Sequence, residues 1–514
     1  MAENDNVIRD AKTLGTPKML VLGLQHMFAM FGATVLVPLL TGLDVSTTLL
    51  CAGLGTLLFH AITKIKVPAF LGSSFAFLGG YAAITGLAGT AGYENMTQAQ
   101  LLPYACLGVA CAGMLYFVLA AVIRAVGINR VMRFFPPVVT GPIIIAIGLG
   151  LAGSAITNCQ TNWLLALIAL GLVIVFNIWG KGMAKILPIL IGVLGSVAVA
   201  IVLTATTGTV VDGYYCVNGN ANMQLFSVSA LQTLKDAPLI GLPIHKESTI
   251  LAVDFSNPLV ISSIIAIMPI ALATMMEHIG DISAISATVD RNFIKEPGLH
   301  RTLCGDGAAT VLASLVGGPA NTTYGENTGV LVLTKVYDPK VIRIAACFAT
   351  VLAFCPKFAA CIELLPTPII GGISFVLYGM ISGAGVRNLV ENHVDFSNSR
   401  NLIIAAVILV CSLGMTDGIT FTPGNLTITL SGLATGSLAG IILNAIFPGK
   451  DFNFDDDDKA PEAAVIVADE SILKEAAPAT AENATVEEAA VEAIKTVEAE
   501  AADAIEAIKA ATAE

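Results

Sequence analysis

GGPANTTYGENTGVLVLTK, residues 317–335, cannot be an ordinary lipid-facing helix, and neither can VPAFLGSSFAF, residues 67–77. Each lies in an apolar neighbourhood, yet each is crowded with Gly, Pro, Ser, Thr or Asn. These residues interrupt helices or compete for their backbone hydrogen bonds. With no water in the hydrocarbon, irregular backbone survives only where it is buried in protein or lines a cavity. The two segments therefore predict short extended stretches, each leading into a half-helix, that cross and pair with each other. The free N–H groups at the half-helix N-termini would face a polar ligand. The plain alternative is a pair of loops at the membrane surface.

The surrounding chain supports the membrane reading. Of 514 residues, 55% are hydrophobic and 12% charged, against about 25% charged in a soluble domain. Such a chain cannot cover a globular surface with polar groups, so lipid must be its solvent. A span needs about 20 apolar residues. Candidates run from 19–40 to 426–447 and number fourteen, several of them short or broken by Gly and Pro. The broken segments fall in spans three and ten. No cleavable signal peptide is expected, because the first apolar run continues for a full span.

Charge sets the orientation. Lys64, Lys66, Arg124, Arg130, Arg133, Lys181, Lys185, Arg291, Lys295, Arg301, Lys335, Lys340, Arg343, Arg387 and Arg400 fall in alternate connections. The intervening short loops hold almost none, Lys357 excepted. The positive-inside rule then puts both termini in the cytoplasm. The expected organisation is a cytoplasmic N-terminus (1–18), a first seven-span repeat (19–206), an extracellular loop (207–257), a second seven-span repeat (258–447) and an acidic cytoplasmic tail (448–514). The repeats are suggested by Ser73–Phe75 against Thr322–Tyr324, by Pro137–Gly141 against Pro368–Gly372, and by Gln25-His26 against Glu277-His278, in the same order. Seven spans per repeat would make the halves inverted, the arrangement in which transporters hold substrate on broken helices. The net charge of −12 is concentrated in the tail, whose Asp455–Asp458 string and Ala/Glu-rich continuation read as disorder or a solvated helix. With Lys459 that string also matches a protease-cleavage tag.

Glu277 sits in an otherwise apolar span, where a carboxyl is expensive and by default functional. It is expected protonated or hydrogen-bonded, since desolvation disfavours the charge; the bland reading is a structural buried pair. Asp281 lies one turn on, on the same face, and Glu277 with Asp281 is the expected proton-coupling pair. His278 joins that set, although it and His26 read as readily as satisfied core histidines. Glu326 opens the half-helix of span ten, where an acid could also serve merely to cap a helix. Asp306, near the cytoplasmic end of span nine, reads as a solvated position as readily as a functional one. GLGLAG at Gly148–Gly153 matches a dinucleotide fingerprint without its strand–helix context and reads as close helix packing. No nucleophile–base pair, metal-binding motif or phosphate loop is present, and six histidines and ten scattered cysteines suggest no metal site. No cofactor, metal or nucleic-acid partner is expected.

LQHMFAMFGATVLVP at Leu24–Pro38, LGSSFAF at Leu71–Phe77, Glu277-His278 and NTTYGENTGVLVLT at Asn321–Thr334 together resemble the nucleobase–ascorbate transporter family, nucleobase:cation symporter-2. The resemblance runs from about residue 15 to 447. It implies an all-α polytopic fold of fourteen spans in two inverted repeats, with a core domain from spans one to four and eight to eleven and a gate domain from the rest. It further implies that Glu277 and Glu326 hold the substrate, that backbone groups at Phe75 and Gly325 complete the cradle, and that Ala33 and Tyr324 line it. Glu before the signature Asn327 resembles members that carry uracil more than those that carry xanthine or urate. Members that carry uracil can have His where this chain has Asp281, so a relay at that position does not follow from the resemblance. The expected partners are uracil, a proton and the bilayer, with room for a homodimer. Proton-coupled uracil import at the cell membrane is the lead reading. The alternatives are a purine permease, an anion carrier of the sulfate-transporter type, and a membrane enzyme. The last lacks any catalytic constellation.

Overall fold

A computed structural model of the chain describes residues 7–90, 93–415, 418–421 and 428–449. The expected acidic tail beyond residue 449 lies outside the described residues. The first part of the chain forms α1 (Thr16–Thr41), α2 (Val45–Ile62), β1 (Leu71–Ser73), α3 (Leu78–Thr85), α4 (Gln98–Val126), α5 (Ile128–Met132), α6 (Pro137–Gly150), α7 (Ala152–Gln160), α8 (Trp163–Trp179), α9 (Met183–Ile186) and α10 (Pro188–Thr207). Strands β2 (Gly208–Val211), β3 (Tyr214–Val217) and β4 (Gln224–Ser227) and helix α11 (Val228–Asp236) follow. Next come α12 (Leu259–Ile267), α13 (Ile270–Val289), α14 (Leu299–Leu315), β5 (Asn321–Thr323), α15 (Gly325–Thr334), α16 (Pro339–Ala353), α17 (Pro356–Glu363), α18 (Thr367–Glu391) and α19 (Ser399–Gly414). The hairpin β6 (Ile419–Phe421) and β7 (Ile428–Leu430) and helix α20 (Gly432–Ile446) end the described part.

Among the described residues, seven helical stretches are long and apolar enough to cross a membrane, or eight if the bent pair α16–α17 counts as one. Others are apolar but shorter, such as α8 with 17 residues and α20 with 15. Exposed Leu167, Ile178, Leu194 and Val202 on α8 and α10 give these helices apolar outer faces, as a lipid solvent requires. Helix ends are set by local chemistry. Asp44 caps α2 by accepting from Thr47, and Thr97 with Gln100 forms a capping box at α4. Helices α4 and α14 pack closely because Gly113 faces Gly307. A Cβ on Gly307 would run into Tyr116, so no larger residue fits that contact.

Both interrupted segments contain strands, and the strands pair. β1 and β5 run antiparallel, with Leu71 opposite Thr323, Gly72 opposite Thr322 and Ser73 opposite Asn321. The ladder continues at its ends, where Ser74 N donates to Ala320 O (2.8 Å) and Tyr324 N to Phe70 O (3.0 Å). A threonine from the preceding helix pins each strand. Thr56 on α2 accepts from Leu71 N at 2.9 Å and donates to Leu71 O at 3.2 Å. Thr310 on α14 accepts from Asn321 N at 3.2 Å and donates to Asn321 O at 2.9 Å. The backbone groups that a continuous helix would have satisfied are thus satisfied inside the protein. Helices α3 and α15 have only 8 and 10 residues. At 1.5 Å per residue they reach about 12 and 15 Å, half or less of a hydrocarbon core of about 30 Å.

One expectation needs correction. The fold is predominantly but not wholly helical, because a three-stranded meander (β2–β4) and a hairpin (β6–β7) stand outside the crossing strands. The 207–257 segment, expected as a loop, carries that meander and α11. In its Tyr214–Val217 strand the adjacent Cys216 and Val217 are buried.

Candidate functional site

The strand pair positions the site. β5 ends at Thr323 and Tyr324 alone separates it from α15, so Gly325, Glu326 and Asn327 occupy that helix's first turn. Tyr324 is buried, and its hydroxyl donates to Ser73 O at 2.9 Å across the strand pair. The same hydroxyl lies 3.2 Å from both Thr34 Oγ1 and Ser73 Oγ. Ser73 Oγ in turn donates to Thr34 O at 2.8 Å and reaches Ala33 O at 3.4 Å. This network ties α1, β1 and β5 around buried Ala33. Asn327 Nδ2 donates to His26 O at 3.0 Å, fastening α15 to α1. Gly325 is exposed, and a Cβ there or on Gly280 would meet nothing within 4 Å. The first turn of α15 and the Glu277–Asp281 turn of α13 therefore both border open space.

Helix α13 brings two acids to the same place. Thr323 Oγ1 on β5 donates to Asp281 Oδ2 at 2.6 Å. Glu277, one turn earlier, has a buried Oε2 with no hydrogen-bond partner among the described residues. Glu277 lies within electrostatic range of Asp281, Asp306 and Glu326. Phe75, which follows β1, meets Tyr378 of α18 edge-to-face with ring centroids 5.9 Å apart. Ala33, Phe75, Tyr324 and Tyr378 belong to one packed cluster. The arrangement offers carboxyl acceptors, helix-terminal N–H donors and aromatic faces, the set a flat polar ring requires.

His278 faces elsewhere. Its Nδ1 stands 3.0 Å from Asp306 Oδ2, with both side chains fully buried. Phe59 of α2 lies edge-on to its ring at 6.3 Å. The solvated alternative for Asp306 is thereby corrected, because α14 turns this carboxylate inward between α2, α4 and α13. The sequence reading did not single out Thr323, Ser73, Thr34 or Tyr378. Tyr378 carried one available signal, a hydroxyl within a largely apolar span.

Paired broken helices in a multi-pass apolar bundle define a membrane transport protein. Residues 17–421 match the xanthine/uracil permease family model, and the chain belongs to that permease family, nucleobase:cation symporter-2. It is 38% identical over 452 residues to a uracil permease of Bacillus caldolyticus, covering 86% of this chain and 94% of that one. It is 37% identical to a uracil permease of Bacillus subtilis (83% and 91% covered) and 37% identical to a putative pyrimidine permease of Escherichia coli (84% and 89%). Its fold is similar to the transmembrane domain of a cyanobacterium bicarbonate transporter, with a TM-score of 0.55 and 14% identity over 80% of this chain and 98% of that one. It is also similar to SLC26A9, with a TM-score of 0.55 and 12% identity over 85% and 66%. The protein is thus a multi-pass membrane permease, not an enzyme.

Proposed function

We propose that this permease imports uracil across the cell membrane by proton symport through alternating access. The observation that carries the reading is the unpartnered carboxyl oxygen of Glu277, set beside the strand pair from which α15 presents Glu326. Uracil offers two ring N–H donors and two carbonyl acceptors on a flat ring. Glu277 and Glu326 accept from the N–H groups, and backbone N–H groups at Phe75 and Gly325 donate to the carbonyls. Phe75 and Tyr324 cover the ring, with Ala33 shaping the wall. The several relatives whose names specify uracil favour that base over a purine.

Uracil is neutral, so the membrane potential alone cannot concentrate it. Each co-transported charge supplies about 2.3 kcal/mol per 100 mV. Glu277 takes up the proton, and Asp281, held by Thr323, supplies a neighbouring charge that makes the two titrate as a pair. His278 acts one step removed, holding α13 to α14 through Asp306. In this reading the chain has fourteen spans in two inverted repeats, 19–206 and 258–447. The core comprises spans one to four and eight to eleven, and the Phe75–Tyr378 contact bridges core and gate. The matching threonine pins on β1 and β5 support the repeat. The termini, 1–18 and 448–514, lie in the cytoplasm and 207–257 outside. Uptake of radiolabelled uracil into proteoliposomes, competed with xanthine, urate and thymine, tests the reading. Uracil should compete best, and an inward proton gradient should drive accumulation. Stronger competition by xanthine would make it a purine permease, and accumulation indifferent to the gradient would remove the proton.

A further inference from the structure

We propose that the cavity where α6 and α19 begin and α18 and α20 end is a binding site for a phosphate group. The cavity measures 130 Å³, room for about four waters at roughly 30 Å³ each, and lies apart from the carboxylate site. Two arginines line it, Arg133 and Arg400. Arg400 is held in place by neutral acceptors. Its Nη2 donates to Asn444 Oδ1 (2.6 Å) and Asn444 O (3.2 Å), and its Nη1 to Asn401 Oδ1 (3.1 Å). Its Nε is buried and has no partner. Asn444 is fixed in turn by donating to Arg133 O and Phe134 O, each at 3.2 Å.

These contacts orient the guanidinium without neutralising it. The cavity wall also carries an ionised carboxylate, Asp395, which the two arginines outnumber. Its two oxygens accept from Ser397 N (2.8 Å) and Ser397 Oγ (2.9 Å), which hold its carboxyl below the usual range. Among the described residues, neither arginine stands within ion-pair distance of a carboxylate. An arginine snorkelling into water would leave its Nε solvated and its fork mobile; Arg400 shows the opposite. A half-buried, pre-oriented guanidinium whose charge no carboxylate neutralises attracts an oxyanion, with the exposed Arg133 able to supply further donors. The start of α6, which has no side-chain cap, adds its positive dipole end. The phosphate can be that of an anionic lipid headgroup or free inorganic phosphate, and the chemistry of recognition is the same. All four helix ends lie on the face to which the Lys/Arg pattern assigns the cytoplasm, where lipid headgroups sit. A phosphate there would bridge the ends of α6, α18, α19 and α20.

The test uses the purified full-length chain and its Arg400→Gln and Arg133→Gln variants. Native mass spectrometry counts retained phosphatidylglycerol against phosphatidylcholine, and thermal unfolding is followed with each lipid and with millimolar inorganic phosphate. Phosphatidylglycerol should be retained and stabilising, with at least about a tenfold weaker affinity in each variant. Stabilisation by the lipid alone identifies a headgroup site, and stabilisation by inorganic phosphate alone identifies a soluble ligand. Absence of both, or binding unchanged by the substitutions, overturns the proposal. Arg133 is exposed and, among the described residues, donates no side-chain hydrogen bond, so Arg133→Gln decides the matter should Arg400→Gln misfold.

Discussion

Glu277→Ala should separate binding from stability. Glu277 Oε2 is buried and has no protein hydrogen-bond partner among the described residues. Leaving a buried polar atom unsatisfied costs about 1–3 kcal/mol, and the cost is higher if the group is charged. A ring N–H from uracil would remove that cost on binding. Truncation therefore deletes a hydrogen bond to a carboxyl worth roughly 1.5–3 kcal/mol, a loss of about ten- to a hundredfold in affinity. It also deletes a buried polar group that no protein partner satisfies among the described residues. The midpoint of thermal unfolding should then hold or rise, the usual sign of a site that trades stability for function. Glu277→Gln, which keeps an acceptor oxygen and the volume, should lose less affinity but fail to accumulate substrate against a gradient, because it cannot take up a proton. Calorimetry with uracil on purified protein, paired with thermal unfolding, measures both quantities. Affinity within threefold of the parent would remove Glu277 from the site. A fall of several degrees in Glu277→Ala would mean that the carboxyl holds the fold together, and the reasoning from its unpartnered oxygen would fail.

Asp281→Asn should retain uracil binding while shifting the pH profile of uptake, because it removes the charge next to Glu277 yet leaves an acceptor for Thr323. The parent's uptake should fall as external pH rises, collapse with a protonophore and ignore sodium replacement, and an unchanged profile in the variant would take Asp281 out of the coupling. Gly72→Val should abolish folding or binding, since any Cβ at this position meets the Tyr324 ring and Thr34. Clashes of this kind cost about 1–3 kcal/mol or more in a packed site. A purified Gly72→Val protein with the parent's melting point and affinity would contradict the packing around β1. Cysteines introduced at 182–184 should be labelled only from the cytoplasmic side, and labelling of intact cells from outside would reverse the assigned orientation.

What sequence alone could determine was whatever depends on composition and local backbone chemistry. Few charges among long apolar runs require lipid as the solvent. Gly, Pro, Ser and Thr at 67–77 and 317–335 forbid continuous helix there, and the carboxyl of Glu277 stands out because an apolar span gives it no excuse. The family motifs lie in continuous stretches and were readable for the same reason. The partners of these groups were not readable, because each is supplied from far along the chain. The register that puts Ser73 opposite Asn321 joins residues 248 apart, and Tyr324 reaches Ser73 across 251 positions. The bond from Thr323 to Asp281, the pairing of His278 with Asp306 and the contact of Phe75 with Tyr378 likewise depend on how helices pack. Asp306 shows why position within a span misleads. Its place near a helix end suggested water, but burial is a property of the neighbours that cover a side chain. Here those neighbours come from α2, α4 and α13, assembled only when the two halves of the chain close around the crossed strands.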